Sequence, residues 1–173
     1  MTFLETPRLL FRSHQAEDQE ELVKMQTDPE VRRFVGGSAW PREKAVYRFQ
    51  NRYLGKPSKD YGLWATVLKV ESRYIGYCGL HQTAEASGQG SVRLGYYIAR
   101  PYWNRGLATE AAAAFIDVAF SQLHLSEVFA DVEKGHDASR HILQKLGFAL
   151  VGREELPGRI LDIYRLARVN PRS

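Results

Sequence analysis

A turn built of small, polar and basic residues is the part of the chain best suited to chemistry. It runs from Asn104 through Arg105 and Gly106 to Thr109, between a run rich in aromatic residues and an alanine-rich segment. The first N–H groups of a helix have no partner inside the helix, and the helix dipole adds partial positive charge there. Gly106 lets the backbone approach a ligand closely, and Arg105 adds a positive charge. We therefore predict that this turn grips a ligand that carries phosphate.

Two common phosphate-binding loops do not fit this stretch. It has neither the Gly-Lys-Ser/Thr ending of a Walker loop nor the three spaced glycines of a dinucleotide-binding turn. Residues 103–108 instead resemble the acyl-CoA signature Gln/Arg-x-x-Gly-x-Gly/Ala of the GNAT superfamily of N-acetyltransferases. The longer string 102–111 is typical of its ribosomal-protein N-terminal acetyltransferase branch, the RimJ/RimL type, except that Asn104 replaces a glycine. Asn tolerates positive φ better than most residues, so we expect the turn to keep its shape.

A second motif, at residues 134–148, strengthens the resemblance. It is similar to the GNAT pattern Asn-x-x-Ser-x-x-(apolar)-(apolar)-x-Lys-x-Gly-Phe, with His136 in place of the Asn. The matching residues are Ser139, Lys145, Gly147 and Phe148. The opening of the chain, residues 6–12 and then Asp28-Pro29, also resembles the RimJ/RimL branch.

The resemblance implies acetyl-CoA as the acetyl donor and an amine as the acceptor. The acetyl-CoA ligands that it implies are Ile98, Ala99, Arg100, Asn104, Arg105, Gly106, Leu107, Ala108, Thr109, His136, Ser139 and Lys145. Backbone N–H groups left free near Ile98 would stabilise the oxyanion. The walls of the acceptor pocket would come from residues 34–53 and from the last hairpin of the chain.

The proton donors and acceptors are assigned less directly. Ser139 and Tyr164 are candidates to protonate the leaving thiolate. Relatives often carry Glu before the Leu-Gly-Tyr run, and here Arg93 occupies that position. Glu155 and His81 remain as alternative bases, and a histidine pKa near 6.5 suits a proton relay through water. An N-terminal acceptor would need less help than a lysine, because the α-amino pKa is about 8 and the lysine pKa about 10.4.

The elements that must position these residues follow from hydrophobic periodicity and turn signals. Strands are predicted at 8–12, 61–70, 73–81, 91–99, 128–132, 148–151 and 160–166. Helices are predicted at 17–25, 41–53, 109–123 and 137–146, with Asp137 as an N-cap and a helix restart at Asp28-Pro29. Residues 84–90 read as a loop and 170–173 as a frayed tail. We expect an α+β (α/β) fold with a mixed sheet of about seven strands and about four helices. The resemblance adds that the fourth and fifth strands splay apart.

Composition narrows the class of protein. The chain has 173 residues, which predicts one domain over 1–173, and a net charge of +4, which suits an anionic ligand but does not demand nucleic acid. The single cysteine, Cys78, excludes an internal disulfide and a cysteine-based zinc cluster, and we expect it to be a buried thiol. No metal site is predicted. The sequence lacks a signal-peptide region and a membrane-length apolar run, so we expect a cytoplasmic protein.

Several functions stay open at this stage. The acceptor could be a protein N-terminus or a small-molecule amine, such as an amino acid, a polyamine or an antibiotic. A GNAT-fold sensor that binds acyl-CoA without turnover is the alternative from another class. Nucleic-acid binding rests only on the mild basic charge. A homodimer is compatible with the sequence.

Overall fold

One mixed sheet of eight strands runs through the molecule, with helices on both of its faces. A computed structural model describes residues 2–55, 61–83 and 90–169. The strands are β1 (Thr2–Glu5), β2 (Leu9–Arg12), β3 (Gly62–Leu68), β4 (Arg73–Thr83), β5 (Ser91–Ile98), β6 (Glu127–Glu133), β7 (Ala149–Leu156) and β8 (Arg159–Ala167). The α-helices are α1 (Gln19–Thr27), α2 (Pro29–Arg32), α3 (Arg42–Arg48), α4 (Leu107–Asp117) and α5 (Asp137–Lys145). Helices α3 and α4 each continue into a π-helical turn, at Phe49–Tyr53 and Val118–Gln122.

The strand order confirms the predicted mixed sheet. The order is β1-β2-β3-β4-β5-β6-β8-β7, and among these described strands β5 and β6, joined through α4, are the only parallel neighbours. The sheet has eight strands rather than about seven because β1 was not predicted. Its four residues are too few for a periodic pattern, but Phe3 stacks on Trp64 with ring centroids 4.1 Å apart and holds the strand in place.

The described residues form five α-helices rather than about four. The restart at Asp28-Pro29 is a helix of its own, α2, in which Asp28 Oδ1 accepts the Glu30 N–H at 2.9 Å. Asp137 is not the N-cap of α5, because His136 occupies the cap position and Asp137 is the first helical residue. No helix among the described ranges is long and apolar enough to cross a membrane. The tail predicted at 170–173 and positions 84–89 of the predicted loop lie outside the described residues.

Two hydrophobic clusters lie on opposite faces of the sheet. The α4–α5 face carries the larger cluster, which includes Ile98, Phe115 and Tyr164. The α1–α3 face carries the smaller one, which includes Leu22 and Tyr77. Cys78 is fully buried, as expected, and burial raises the pKa of its thiol. Because side chains alternate along a strand, each strand presents one set of residues to each face.

Candidate active site

A gap opens in the sheet where β5 and β6 part. Arg93 and Phe129 form the one bridged pair that the described residues contain between these strands, and a cleft of about 900 Å³ follows. On the other side of β5, the Ala99 N–H donates to the Ile75 carbonyl of β4 at 2.8 Å. In this antiparallel register the N–H of Ile98, one residue earlier, is directed toward the gap. The predicted splay is confirmed, between the fifth and sixth strands now that β1 is counted.

The turn that links β5 to α4 forms one end of this cleft. Gly106 is the N-cap of α4 in the left-handed conformation, with φ 72°, and Asn104 also has positive φ, 58°. The Trp103 indole Nε1 donates to the Ile98 carbonyl at 2.6 Å, which ties the turn back to the end of β5. Asn104 and residues 106–109 line the cleft. Asn104 therefore supports the expected turn despite the missing glycine.

A network that sequence reasoning missed fastens this turn to the N-terminal segment. Glu110 Oε1 accepts from Thr6 Oγ1 at 2.5 Å and from the Arg8 N–H at 3.0 Å, and its Oε2 accepts from Arg8 Nε at 2.5 Å. Arg8 Nη1 also donates to the Arg105 carbonyl at 2.8 Å. The sequence shows Glu110 in one motif and Arg8 in another, but nothing in the sequence indicates that these two residues form an ion pair.

Four of the predicted acetyl-CoA ligands do not line the cleft. The Arg105 guanidinium lies over the Tyr102 ring, 5.3 Å from its centroid, and 4.0 Å from Glu71. Arg100 pairs with Asp28 at 3.3 Å, Lys145 is exposed at the end of α5, and Ala99 packs against both hydrophobic clusters. The remaining ones, Ile98, Asn104, Gly106, Leu107, Ala108, Thr109, His136 and Ser139, all line it.

A tyrosine–serine pair spans the α4–α5 face of the cleft. Ser139, the third residue of α5, lies 2.7 Å by its Oγ from the hydroxyl of Tyr96 on β5. Burial raises the pKa of Tyr96, so its hydroxyl keeps its proton at neutral pH. Tyr96 was not predicted. The alternation of β5 could have found it, since it places Tyr96 on the same face as Ile98.

Tyr164 and Glu155, predicted as catalytic residues, lie away from the cleft. Tyr164 pairs with Ala130 in the sheet and is 3% exposed within the core beneath the α4–α5 face. Glu155 is exposed on β7, which the strand order separates from the gap by two strands, β6 and β8. The sequence could not reveal this, because it does not state that β8 inserts between β6 and β7.

His81 lies on the α1–α3 face of the cleft. It lines the cavity, and its Nδ1 is buried without a hydrogen-bond partner. Burial lowers the pKa of His81, so the imidazole is neutral at physiological pH. Arg93 of β5 lies opposite His81 in the sheet. It forms an ion pair with Asp131 of β6 where the gap begins.

His136, the N-cap of α5, lines the cleft. Its ring stacks on Phe34 with centroids 4.6 Å apart and planes 5° from parallel, which joins the N-terminus of α5 to the segment after α2. Partial burial lowers the pKa of His136. Phe34 and Val35 line the cavity, so this part of the predicted acceptor wall does border the cleft.

Comparison with known proteins gives the family. The sequence profile described as "Acetyltransferase (GNAT) domain" matches residues 8–149. A Bacillus licheniformis protein described as the uncharacterized N-acetyltransferase p20 is 28% identical over 174 residues, covering 95% of this chain and 94% of that protein. YdaF of Bacillus subtilis, whose description as a ribosomal N-acetyltransferase is itself provisional, is 28% identical over 112 residues, covering 65% of this chain and 57% of that protein.

Solved structures share the fold. The crystal structure of a GNAT-family acetyltransferase from Bacillus anthracis has a TM-score of 0.80 and 19% identity, and covers 96% of this chain and 98% of that chain. An acetyltransferase from Agrobacterium tumefaciens has a TM-score of 0.79 and 23% identity, covering 97% and 95%. Since the family profile spans most of the sequence and relatives along the whole chain are described as N-acetyltransferases, this chain belongs to the GNAT family and is an acetyl-CoA-dependent acetyltransferase.

Proposed function

We propose that the protein transfers the acetyl group of acetyl-CoA to a primary amine by direct attack within a ternary complex. The observation that carries this proposal is the gap between β5 and β6, which connects the α4 turn to His81 on the opposite face of the sheet. The amine nitrogen forms a bond to the thioester carbonyl carbon, the C–S bond breaks, and the sulfur receives a proton. The nitrogen loses a proton, so the reaction needs a proton acceptor and a proton donor.

The donor substrate would bind along β5. The first-turn N–H groups of α4, behind Asn104 and Gly106, would hold the pyrophosphate, since these groups lack partners within the helix. The Ile98 N–H, directed toward the gap, would stabilise the oxyanion. The residues therefore suit acetyl-CoA, although Arg105 would have to leave Glu71 to reach it.

The leaving sulfur would take its proton from the Tyr96–Ser139 pair. The two hydroxyls are hydrogen-bonded, border the cleft and stay protonated at neutral pH, as a general acid requires. Tyr164 does not serve this purpose, because it is buried in the core.

The ammonium of the acceptor would lose its proton to His81 through water. His81 lines the cleft, and a neutral imidazole can accept a proton there. Glu155 does not line the cleft, so His81 is the better-placed base. The presence of His81 and of the Tyr96–Ser139 pair favours turnover over the alternative of a sensor that only binds acyl-CoA.

We further propose that the chain belongs to the RimJ/RimL branch, with a protein N-terminus or a small-molecule amine as acceptor. The motif strings of residues 6–12 and 102–111 support this, and so does the name of YdaF. The contacts of Glu110 with Thr6 and Arg8 give the two strings a shared structural purpose.

The first experiment is a calorimetric titration with acetyl-CoA, with Gly106→Asp as the control variant. The substitution puts a carboxylate and a Cβ at the left-handed N-cap where the pyrophosphate would bind. We expect saturable binding to the wild type and none to Gly106→Asp, followed by release of free thiol when a panel of amines is added. Binding without thiol release from any amine would favour the sensor, and absence of binding would refute the proposal.

Three broader expectations remain proposals. Residues 1–173 form one domain, which limited proteolysis tests by yielding no stable internal fragment. The protein is cytoplasmic, which cell fractionation tests. A homodimer would be detected by sedimentation, with and without acetyl-CoA.

A further inference from the structure

Two guanidinium groups converge at one side of the cleft, away from the α4 turn. Arg159 begins β8 and lines the cleft, whereas Arg32 ends α2, is 6% exposed and does not itself line the cleft. Arg32 Nη2 is 3.1 Å and Arg159 Nη1 is 3.4 Å from the point that a Cβ on Gly36 would occupy. The free ends of the two side chains therefore approach the same point from two elements.

The local charge at this point is positive. Arg159 Nε faces Glu133 Oε2 at 3.4 Å, whereas Arg32 has no carboxylate within ion-pair distance among residues 2–55, 61–83 and 90–169. The Arg32 contacts are neutral: Gln26 Oε1 and the Ser38 carbonyl, both at 3.3 Å, and the Trp40 ring, 4.3 Å from its centroid. A buried charge without a counter-charge is costly, so this arrangement favours an anion from outside the chain.

The polar atoms of this cluster are incompletely satisfied. Arg159 Nε and Glu133 Oε2 are buried without a hydrogen-bond partner. Glu133 contacts the Arg159 guanidinium at Nε, so the two Nη atoms of Arg159 can bind another anion. Tyr97 is also close. Burial raises the pKa of Tyr97, and the charges of Arg32 and Arg159 oppose that increase. Arg159, Glu133 and Tyr97 all line the cleft, so the Arg159 side of this cluster borders the space where an acceptor would enter.

We propose that Arg159 and Arg32 form an anion subsite that holds a carboxylate of the acceptor amine. The inference rests on the proposed function, since it concerns the acceptor of that same reaction. It selects amines that carry a carboxylate near the reacting nitrogen, whether in a free amino acid or in the acidic side chain of a peptide N-terminus. Polyamines and other amines without a carboxylate lack the group that this subsite binds.

The donor's own phosphates are the competing anion for this site. The α4 turn, where the pyrophosphate is expected, follows β5, whereas Arg159 begins β8, the strand beyond β6 as seen from the gap. The cleft therefore separates the two positive sites. An effect of Arg159 on acetyl-CoA affinity distinguishes the two uses.

The test compares acceptors that differ only in one carboxylate. One series pairs amino acids with their α-amides, and the other pairs amidated peptides that begin with Asp or Glu with those that begin with Asn or Gln. The readout is thiol release, expressed as the ratio of kcat/KM for the acid to that for the amide. Dividing the acid-to-amide ratio of the wild type by that of Arg159→Gln cancels the effect of the different basicities of the amines. The series that shows the preference identifies the source of the carboxylate.

We expect Arg159→Gln to lower this ratio about ten- to a hundredfold, the range for losing a hydrogen bond to a charged group. Arg32→Gln should lower it as well, and Arg159→Gln remains decisive if the buried Arg32 variant fails to fold. Arg153→Gln is the matched control, because Arg153 pairs with Asp162 on the edge of the sheet and does not line the cleft. The affinity for acetyl-CoA should not change.

An unchanged ratio in Arg159→Gln, or a wild type without preference for the acid in either series, would overturn the subsite. A weaker affinity for acetyl-CoA with an unchanged ratio would assign Arg159 to the donor and overturn it too. If the wild type acetylates no amine, the proposed function fails instead. The same acid and amide pairs, titrated into the protein–CoA complex, then test the proposed subsite. Equal binding of acid and amide would overturn it.

Discussion

Replacing Tyr96 by Phe removes one hydroxyl and keeps the ring that packs against the core. The lost contact is the 2.7 Å hydrogen bond to Ser139 Oγ, which contributes about 1 kcal/mol to stability if it is an ordinary neutral bond. A positioned general acid contributes about 10²- to 10⁴-fold to the rate. We therefore expect kcat to fall at least about 100-fold, equivalent to about 2.7 kcal/mol, which is more than the loss in stability can explain.

The assay is thiol release at saturating acetyl-CoA and amine, together with urea unfolding of each variant. Ser139→Ala should lower kcat about as much as Tyr96→Phe does. The kcat of the double variant should be little lower than that of the less active single variant, because the two hydroxyls act as a unit. Tyr74→Phe is the control, since the Tyr74 hydroxyl is buried without a hydrogen-bond partner and lies outside the cleft. A Tyr96→Phe enzyme with nearly normal kcat would refute the assignment of the proton donor.

Four further predictions concern the turn, its support and two histidines. Gly106→Ala forces a side chain into φ 72°, at a cost of about 1–2 kcal/mol, and should lower the melting temperature by about 2–8 °C; an unchanged melting temperature would contradict the strain. Glu110→Gln weakens the bonds from Arg8, so calorimetry should find weaker acetyl-CoA binding and urea unfolding a loss of about 1–3 kcal/mol. Burial lowers the pKa of His14 from 6.5 to about 4, so the unfolded chain binds a proton first as the pH falls. Its contribution is complete above pH 6.5 and is lost toward pH 4, at up to about 1.4 kcal/mol per pH unit in urea unfolding, and His14→Gln should flatten this slope. Since burial lowers the pKa of His81, activity should rise with pH below 6.5 as the imidazole loses its proton, and a pH–rate profile of His81→Gln should lack that limb.

Local sequence signals were sufficient for all the strands except β1 and for the α4 turn. Pro101 and Gly106 mark where β5 ends and α4 begins, and the conformational preferences of such residues depend on their immediate neighbours. Asn104 adopts positive φ for the same local reason. The N-terminal strand β1 escaped because its stability depends on Phe3 packing against Trp64, which is distant in the sequence.

The sequence by itself determined the family, the mixed sheet and the position of the α4 turn, because those depend on motifs and periodicity within short stretches. Only the tertiary structure decided which side chains share the cleft. It brings Tyr96 rather than Tyr164 to Ser139, and the insertion of β8 between β6 and β7 moves Glu155 away from the gap. The approach of Arg32 to Arg159 likewise depends on strand order and loop path, since contacts between residues far apart in the chain leave no pattern in a single sequence.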